Sequence, residues 1–134
     1  MEIEHVYNSI IHAAVNIHNA VGPGLNKSVY EECLGIELQL LNLHHEFQKP
    51  VQIVYKNKKI KSIFYADVVV DNQVLVQIFA SEKLLNQHAE QTLTLLKLLN
   101  LKDGVMINFN ESNLINGIKR IPNKQTSNFY LNEP

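Results

Sequence analysis

The chain opens with apolar residues spaced three and four positions apart, which is the period of a helix with one apolar face. In the segment 2–21 these residues are Val6, Ile10, Ala13, Ala14, Ile17 and Val21. The Gly-Pro-Gly sequence at 22–24 is predicted to end this helix. A second helix is predicted to begin at Ser28, because Glu31 follows at the spacing of a capping box, and to run to about Leu41.

From Glu46 onward the pattern changes to apolar runs separated by short polar turns, which is typical of strands. We predict three strands, at 46–55, 60–70 and 74–80, joined by turns at 56–59 and 71–73. Because each turn is short, consecutive strands are expected to pair as an antiparallel meander.

Helical spacing returns over 84–99, and the short apolar run 104–109 is typical of a buried strand. The segment 117–121 is a candidate for one more strand, and the polar residues after it are expected to form a loose tail. The resulting order of elements, α, α, β, β, β, α, β, predicts an α+β fold with a single domain over 1–121 and a tail over 122–134.

Composition restricts the function without identifying it. The 134 residues are 46% hydrophobic and 19% charged, the balance of one globular domain. The single cysteine, the lack of a signal-peptide pattern and the lack of an apolar run long enough for a membrane span predict a cytoplasmic protein with no membrane partner.

The net charge of −1 gives the chain no overall attraction to nucleic acid, so such binding would require a local basic patch. One patch is predicted at the first hairpin turn, where the lysines are Lys56, Lys58, Lys59 and Lys61. These four lysines are the candidate nucleic-acid contacts. Charges on a solvated turn that protect a sheet edge from aggregation would explain them equally well.

A single carboxylate, Asp67, stands within the apolar second strand, and Gln77 is the corresponding polar residue of the third. If 71–73 form a three-residue loop, Asp67 lies directly opposite Gln77 and shares a face with Leu75 and Phe79. A two-residue loop would instead place Asp67 and Gln77 on opposite faces of the sheet. The first register predicts a pocket in which one carboxylate meets one amide.

Five stretches of the chain resemble, in the expected order, the GxxExxY proteins, a group within the PD-(D/E)XK nuclease superfamily. They are IHNAVGPGL (17–25), SVYEECL (28–34), YADVVV (65–70), HAEQ (88–91) and GVMINFN (104–110). The resemblance covers about Ile10 to Arg120 and implies a core of helix, three-stranded meander, helix and strand, with an extra N-terminal helix. It also implies a Mg²⁺ site, held by an Asp on the second strand, an E-x-K on the third and sometimes a Glu from the preceding helix.

The sequence departs from this pattern at the implied site. Asp67 matches the Asp of the family, but Gln77 and Phe79 occupy the E and K positions of E-x-K. In the motif that names the family, Lys27 stands three residues before Tyr30, where a Glu is expected. An amide carries no full charge, which weakens the attraction to a divalent cation by several kcal/mol, and Phe79 cannot orient water.

Four further residues match polar positions of the family. Glu31 would join Asp67 as a metal ligand, although the capping-box role explains it as a structural residue. Glu82 matches an acid that follows the third strand, or it is a solvated residue at a helix start. By the resemblance, Gln91 faces the site and helps to hold a nucleotide or water, with His88 beside it. Both are equally well explained as ordinary polar helix residues.

These observations predict a nuclease-like protein with impaired catalysis that binds nucleic acid or a protein partner, with no cofactor or only weakly bound Mg²⁺ at Asp67 and Glu31. At Asp67, hydrogen bonding within the protein and residual metal binding are both consistent with the sequence. Two alternatives stay open. One is an active Mg²⁺-dependent nuclease that uses Glu31, Asp67 and Gln77 with the backbone carbonyl of Ile78, and the other is a scaffold domain that forms a homodimer.

Overall fold

The computed structural model describes residues 1–123, and its helices and strands follow the order expected from the sequence. The helices are α1 (Ile3–Val21), α2 (Lys27–Leu40) and α3 (Asn86–Leu99), with a 3-10 turn at Leu114–Gly117. The strands are β1 (His45–Tyr55), β2 (Lys58–Val70), β3 (Val74–Phe79), β4 (Asp103–Asn108) and β5 (Ile118–Pro122). None of the described helices is both long and apolar enough to cross a membrane.

The five strands form one mixed sheet in the order β1, β2, β3, β4, β5. The first three are the predicted antiparallel meander, and β5 also runs antiparallel to β4. β3 and β4 are parallel, which requires a crossover connection, and α3 lies in that connection. The predicted α+β fold with one domain and an extra N-terminal helix is confirmed.

Two apolar clusters cover the two faces of this sheet, one beneath α1 and α2 and the other beneath α3. The apolar residues of β3 alternate between them: Val74, Val76 and Ile78 belong to the first cluster, and Leu75 and Phe79 belong to the second. This alternation is the one predicted for β3 from the strand period of two. Because the two faces pack against different clusters, a slip of one residue would move every β3 side chain from one cluster to the other.

The structure corrects the first hairpin turn and confirms the last strand. The turn predicted at 56–59 contains only Lys56 and Asn57, both with positive φ, as in the two-residue turns that match the twist of a hairpin. The candidate strand at 117–121 is present as β5. The predicted loose tail falls largely on residues 124–134, which lie outside the described part of the chain, so it stays a prediction.

The loop before α2 is held by the buried Tyr30. The Tyr30 hydroxyl donates to the Gly22 carbonyl at 2.7 Å and accepts from the Leu25 N–H at 3.1 Å. Its ring stacks on Phe109, with ring centroids 4.5 Å apart. Gly22 has a φ of +74°, in the left-handed region that favours glycine. Together these contacts position the first turn of α2, which carries Lys27.

Arg120 on β5 ties the start of α1 to the sheet. Its Nε donates to Asp103 Oδ2 at 2.9 Å, its terminal nitrogens donate to both carboxylate oxygens of Glu4, and the guanidinium lies 3.9 Å from the ring centroid of Tyr7. The hydrogen bonds from Arg120 lower the pKa of Glu4 below its ordinary value of 4.5. Stability that depends on the Glu4 charge is therefore present above that value and is lost as the pH falls through the lowered pKa.

Replacing Glu4 by Gln is expected to lower the urea midpoint of unfolding at pH values above 4.5, and the difference from the wild type should vanish in more acidic solution. The expected effect is small, because Glu4 is exposed and water screens the ion pair. Urea denaturation of both proteins across this pH range measures it. Glu2→Gln, which removes a neighbouring exposed carboxylate, is the control. A difference that does not change with pH would contradict the prediction.

Candidate functional site

The hairpin between β2 and β3 brings Asp67 and Gln77 together. The paired register of the two strands is the one that the three-residue loop predicts, and it ends at Val68 and Val76, just before Asp67 and Gln77. The face predicted for Asp67 is wrong, because its carboxylate pairs with α2 and does not lie in the cluster beneath α3. At Asp67 and Gln77, side-chain oxygens replace backbone carbonyls as the hydrogen-bond acceptors. The Asp67 N–H donates to Gln77 Oε1 at 2.9 Å, and the Ile78 N–H donates to Asp67 Oδ2 at 2.9 Å. Because a buried backbone N–H needs an acceptor, the carboxylate and the amide each have a structural role here.

The other oxygen of Asp67 is held by a cation from α2. Lys27 Nζ lies 2.9 Å from Asp67 Oδ1, and the exposed fractions of the two side chains are 44% and 9%. Lys27 stands where the GxxExxY resemblance implies a Glu, and at that position it places a positive charge beside the carboxylate. The sequence contains the signal, since Lys27 breaks the motif, but 40 positions separate it from Asp67 and only folding brings the two together.

Gln48 on β1 links Asp67 to Glu31, and the sequence pattern gave no signal for it. Its Nε2 donates to Glu31 Oε2 at 3.0 Å and lies 3.5 Å from Asp67 Oδ1. The backbone of Gln48 has a φ of +50°, which is uncommon for a residue other than glycine. On β2, opposite Gln48, the side chains stop alternating between the two faces of the sheet. Ala66 and Val68 are two residues apart and should share a face, but Ala66 belongs to the cluster beneath α3 and Val68 to the other cluster. Backbone strain of this kind concentrates at functional sites.

The capping-box role predicted for Glu31 is wrong. α2 begins at Lys27 with Asn26 as its N-cap, two residues earlier than predicted, and no side chain caps this end of the helix. The shift leaves Glu31 one turn inside α2, where its carboxylate accepts from Gln48 instead of from the helix start. Two carboxylates, those of Glu31 and Asp67, therefore lie at one site.

Phe79, for which the resemblance implies the K position of E-x-K, packs against α3. The ring centroids of Phe79 and His88 are 4.9 Å apart. His88 Nδ1 accepts from the Leu85 N–H at 2.9 Å, which satisfies one of the free N–H groups at the start of α3. His88 thus has a structural role at this end of the helix.

Gln91 and Glu82 are not brought to Asp67. Gln91 is exposed on α3, and no hydrogen bond in the described part of the chain joins it to Asp67. Glu82 is exposed in the loop before α3, four residues ahead of the helix, so it does not stand at the helix start. Of the predicted site residues, the structure brings together Asp67, Gln77 and Glu31.

The four candidate nucleic-acid contacts lie at the far end of the β1–β2 hairpin. Lys56, Lys58, Lys59 and Lys61 are all exposed. On β2, Lys61 and Lys58 are six and nine residues from Asp67, a distance of about 20 to 30 Å at a rise of about 3.3 Å per residue. The structure therefore separates the basic cluster from the Asp67 site.

The residues around Asp67 do not fit a Mg²⁺ ion as they are arranged. Mg²⁺ needs near-octahedral oxygen ligands, whereas Gln77 Oε1 already accepts from the Asp67 N–H and Asp67 Oδ1 is paired with Lys27. An ammonium and a divalent cation about 4 Å apart repel by about 8 kcal/mol at an effective dielectric constant of about 20. Within residues 1–123, no group of three or more His, Cys, Asp and Glu side chains could hold a metal ion.

Comparison with known proteins gives one match. The sequence model of the PD-(D/E)XK nuclease superfamily matches residues 4–121, which include the whole sheet except the last residue of β5. No curated protein and no solved structure matches the chain. The narrower resemblance to the GxxExxY proteins stays a prediction. Because the match spans most of the sequence and the fold agrees with it, the chain belongs to the PD-(D/E)XK nuclease superfamily.

Proposed function

We propose that this chain is a catalytically impaired nuclease-like protein that binds nucleic acid without cleaving it. The observation that carries the proposal is the ion pair between Lys27 and Asp67, which puts an internal cation on the carboxylate that matches the superfamily pattern. The Ile78 N–H engages Asp67 Oδ2, so both carboxylate oxygens have partners within the chain. A carboxylate in this state offers a divalent ion neither a free oxygen nor an uncompensated charge.

Three departures from the implied pattern each reduce the capacity of the site for Mg²⁺-dependent cleavage. A site with Glu at positions 27 and 77 would be more negative by three charges, because Lys27 is a cation and Gln77 is neutral. A unit charge about 4 Å from a divalent ion changes its binding by several kcal/mol at the dielectric of a protein surface. Phe79 removes the cation that would orient water or steady a phosphate, and its ring is packed against His88.

Nucleic-acid binding is supported by the superfamily and by the exposed lysines at the end of the β1–β2 hairpin. These lysines lie about 20 to 30 Å from Asp67, so contacts with phosphate do not depend on a metal at the Asp67 site. Loss of cleavage and retention of binding are therefore compatible in this chain. A protein partner at the same surface is the alternative, and it would leave nucleic acid unbound.

One observation favours a second candidate function, an active Mg²⁺-dependent nuclease with an atypical site. Gln48 brings Glu31 beside Asp67, so two carboxylates are available at one place. Lys27 is nearly half exposed, and its flexible side chain can turn into solvent. In that arrangement Glu31 and Asp67 would be the ligands of the ion, with Gln77 beside them.

A cleavage assay on single- and double-stranded DNA and RNA with Mg²⁺ or Mn²⁺ separates the two functions. We expect the wild type and Asp67→Asn to show the same background, because no cleavage should depend on Asp67. Asparagine keeps the size of the side chain and an oxygen for the Ile78 N–H. A gel-shift assay at low salt should show binding by both proteins.

Two outcomes would count against the proposal. Cleavage by the wild type that is lost in Asp67→Asn would establish the active nuclease. A wild-type protein that binds no nucleic acid at low salt would exclude the binding function and leave the protein partner or the homodimer, which stay predictions.

A further inference from the structure

The outer part of the β1–β2 hairpin, residues 50–65, which we call the arm, is exposed on both faces, and Val51 is its one buried residue. Of the 12 basic and 13 acidic residues of the chain, four basic and no acidic residues lie in the arm. The arm therefore carries a charge of +4, and the rest of the chain carries −5. Such segregation gives a nearly neutral protein a local positive field that attracts a polyanion.

Three aromatic rings are exposed on the arm beside these lysines. Tyr55, Phe64 and Tyr65 are 63%, 46% and 52% exposed. The strand register places Tyr55 opposite Lys58, and the Nζ of Lys56 lies 5.5 Å from the centroid of the Tyr55 ring. Phe64 and Tyr65 are adjacent on β2, so they project from opposite faces of the arm. Each face therefore presents an exposed ring.

The combination of exposed rings and lysines favours single-stranded nucleic acid over other polyanions. Single-stranded nucleic acid is bound by aromatic side chains that stack on its bases and by cations that contact its phosphates. In a duplex the base faces are covered by neighbouring base pairs, so the rings would add little. Pairing between the arms of two copies of the chain is disfavoured, because two arms of charge +4 would repel each other.

We propose that the arm binds single-stranded DNA or RNA, with Tyr55, Phe64 and Tyr65 stacking on bases and the neighbouring lysines contacting phosphates. The proposal rests on the proposed function and narrows it to one class of nucleic acid and one surface. From Lys58 to Tyr65 the strand spans about 23 Å, which accommodates several nucleotides, and single-strand binding folds cover about 4 to 16.

The first test concerns the rings. Fluorescence anisotropy compares the binding of a labelled single strand of about 20 nucleotides with that of a duplex of the same length. The triple variant Tyr55→Leu, Phe64→Leu, Tyr65→Leu keeps apolar side chains but removes stacking. We expect the wild type to prefer the single strand. The variant should lose about tenfold in single-strand affinity for each base that no longer stacks, with duplex binding unchanged.

The second test concerns the lysines. The variant Lys58→Gln, Lys59→Gln, Lys61→Gln should bind both ligands more weakly. For the single strand, the slope of log affinity against log salt should become shallower by about 2, because each phosphate contact contributes about 0.7. The matched control, Lys83→Gln, Lys102→Gln, Lys119→Gln, removes three exposed lysines outside the arm and should bind as the wild type does.

The outcomes separate this inference from the proposed function. Duplex binding equal to or tighter than single-strand binding, or a ring variant that binds single strands normally, would overturn the inference alone. Failure of the wild type to bind either ligand would overturn the proposed function as well. If the ring variant does not fold, photocrosslinking of a single strand that contains 4-thiothymidine to the wild type tests the inference instead. Crosslinks at the three rings support the inference, and crosslinks confined to residues outside the arm overturn it.

Discussion

Exchanging both Lys27 and Gln77 for glutamate is expected to create a divalent-metal site at Asp67. The change removes the ammonium that is paired with Asp67 and adds two carboxylates, while Glu31 is held nearby through Gln48. Both replacements introduce the residue that the GxxExxY resemblance implies at that position. The affinity for Mn²⁺, measured by isothermal titration calorimetry, should rise by at least about 100-fold, which corresponds to about 3 kcal/mol.

Two controls separate the local site from the change in net charge. Lys27→Met removes the cation without adding an oxygen ligand and should give only part of the gain. Lys83→Glu with Gln87→Glu makes the same charge change at exposed positions near the start of α3 and should give none. A folded variant with both glutamates at the site that binds Mn²⁺ no better than this control would show that Lys27 is not what excludes the ion. Saturable binding by the wild type, lost in Asp67→Ala, would contradict the proposal as well.

Tyr30→Ala is expected to lower the free energy of unfolding by about 3 to 5 kcal/mol. Tyr30 is completely buried and stacks on Phe109, so truncation leaves a cavity between α2 and the sheet. Its hydroxyl also joins the Gly22 carbonyl and the Leu25 N–H, and Tyr30→Phe should therefore cost about 1 kcal/mol. Urea denaturation of the three proteins measures both effects.

Tyr65→Ala is the matched control, because this tyrosine is about half exposed and lies on the arm. A surface substitution of this kind is expected to change the free energy of unfolding by less than about 1 kcal/mol. If Tyr30→Phe proved as stable as the wild type, the hydroxyl would not hold the loop before α2. In that case the position of Lys27 would depend on the ring alone.

The meeting of Asp67 and Gln77 could be predicted from the sequence because it depends on local constraints. The three residues 71–73 determine which positions of β2 and β3 pair next to the turn, and the strand period of two then places the side chains of β3. The period fails only at Asp67 itself, where the alternation of β2 is interrupted. The same reasoning predicted the alternation of β3 between the two apolar clusters. A three-residue loop predicts that Asp67 and Gln77 lie opposite each other, and a two-residue loop predicts that they lie on opposite faces of the sheet. Loop length therefore left only two possible arrangements.

The partners of Asp67 could not be predicted in this way. Lys27, Gln48 and Asp67 lie on three different elements, and their separation in sequence gives no register that relates one to another. For Glu31 the local pattern was misleading, because a capping-box spacing is satisfied by many sequences and the contact with Gln48 replaced it. The exposure of the aromatic residues on the arm could not be predicted either, because their sequence pattern is that of an ordinary strand.

By itself, the sequence determined the types and order of the elements and the register next to the β2–β3 turn, because period and loop length act between near neighbours. Only the tertiary structure decided that Lys27 neutralises Asp67 and that the arm carries exposed rings beside its lysines. Those features depend on how α2 and the hairpin lie relative to the sheet, and packing of distant segments is not encoded in any local spacing.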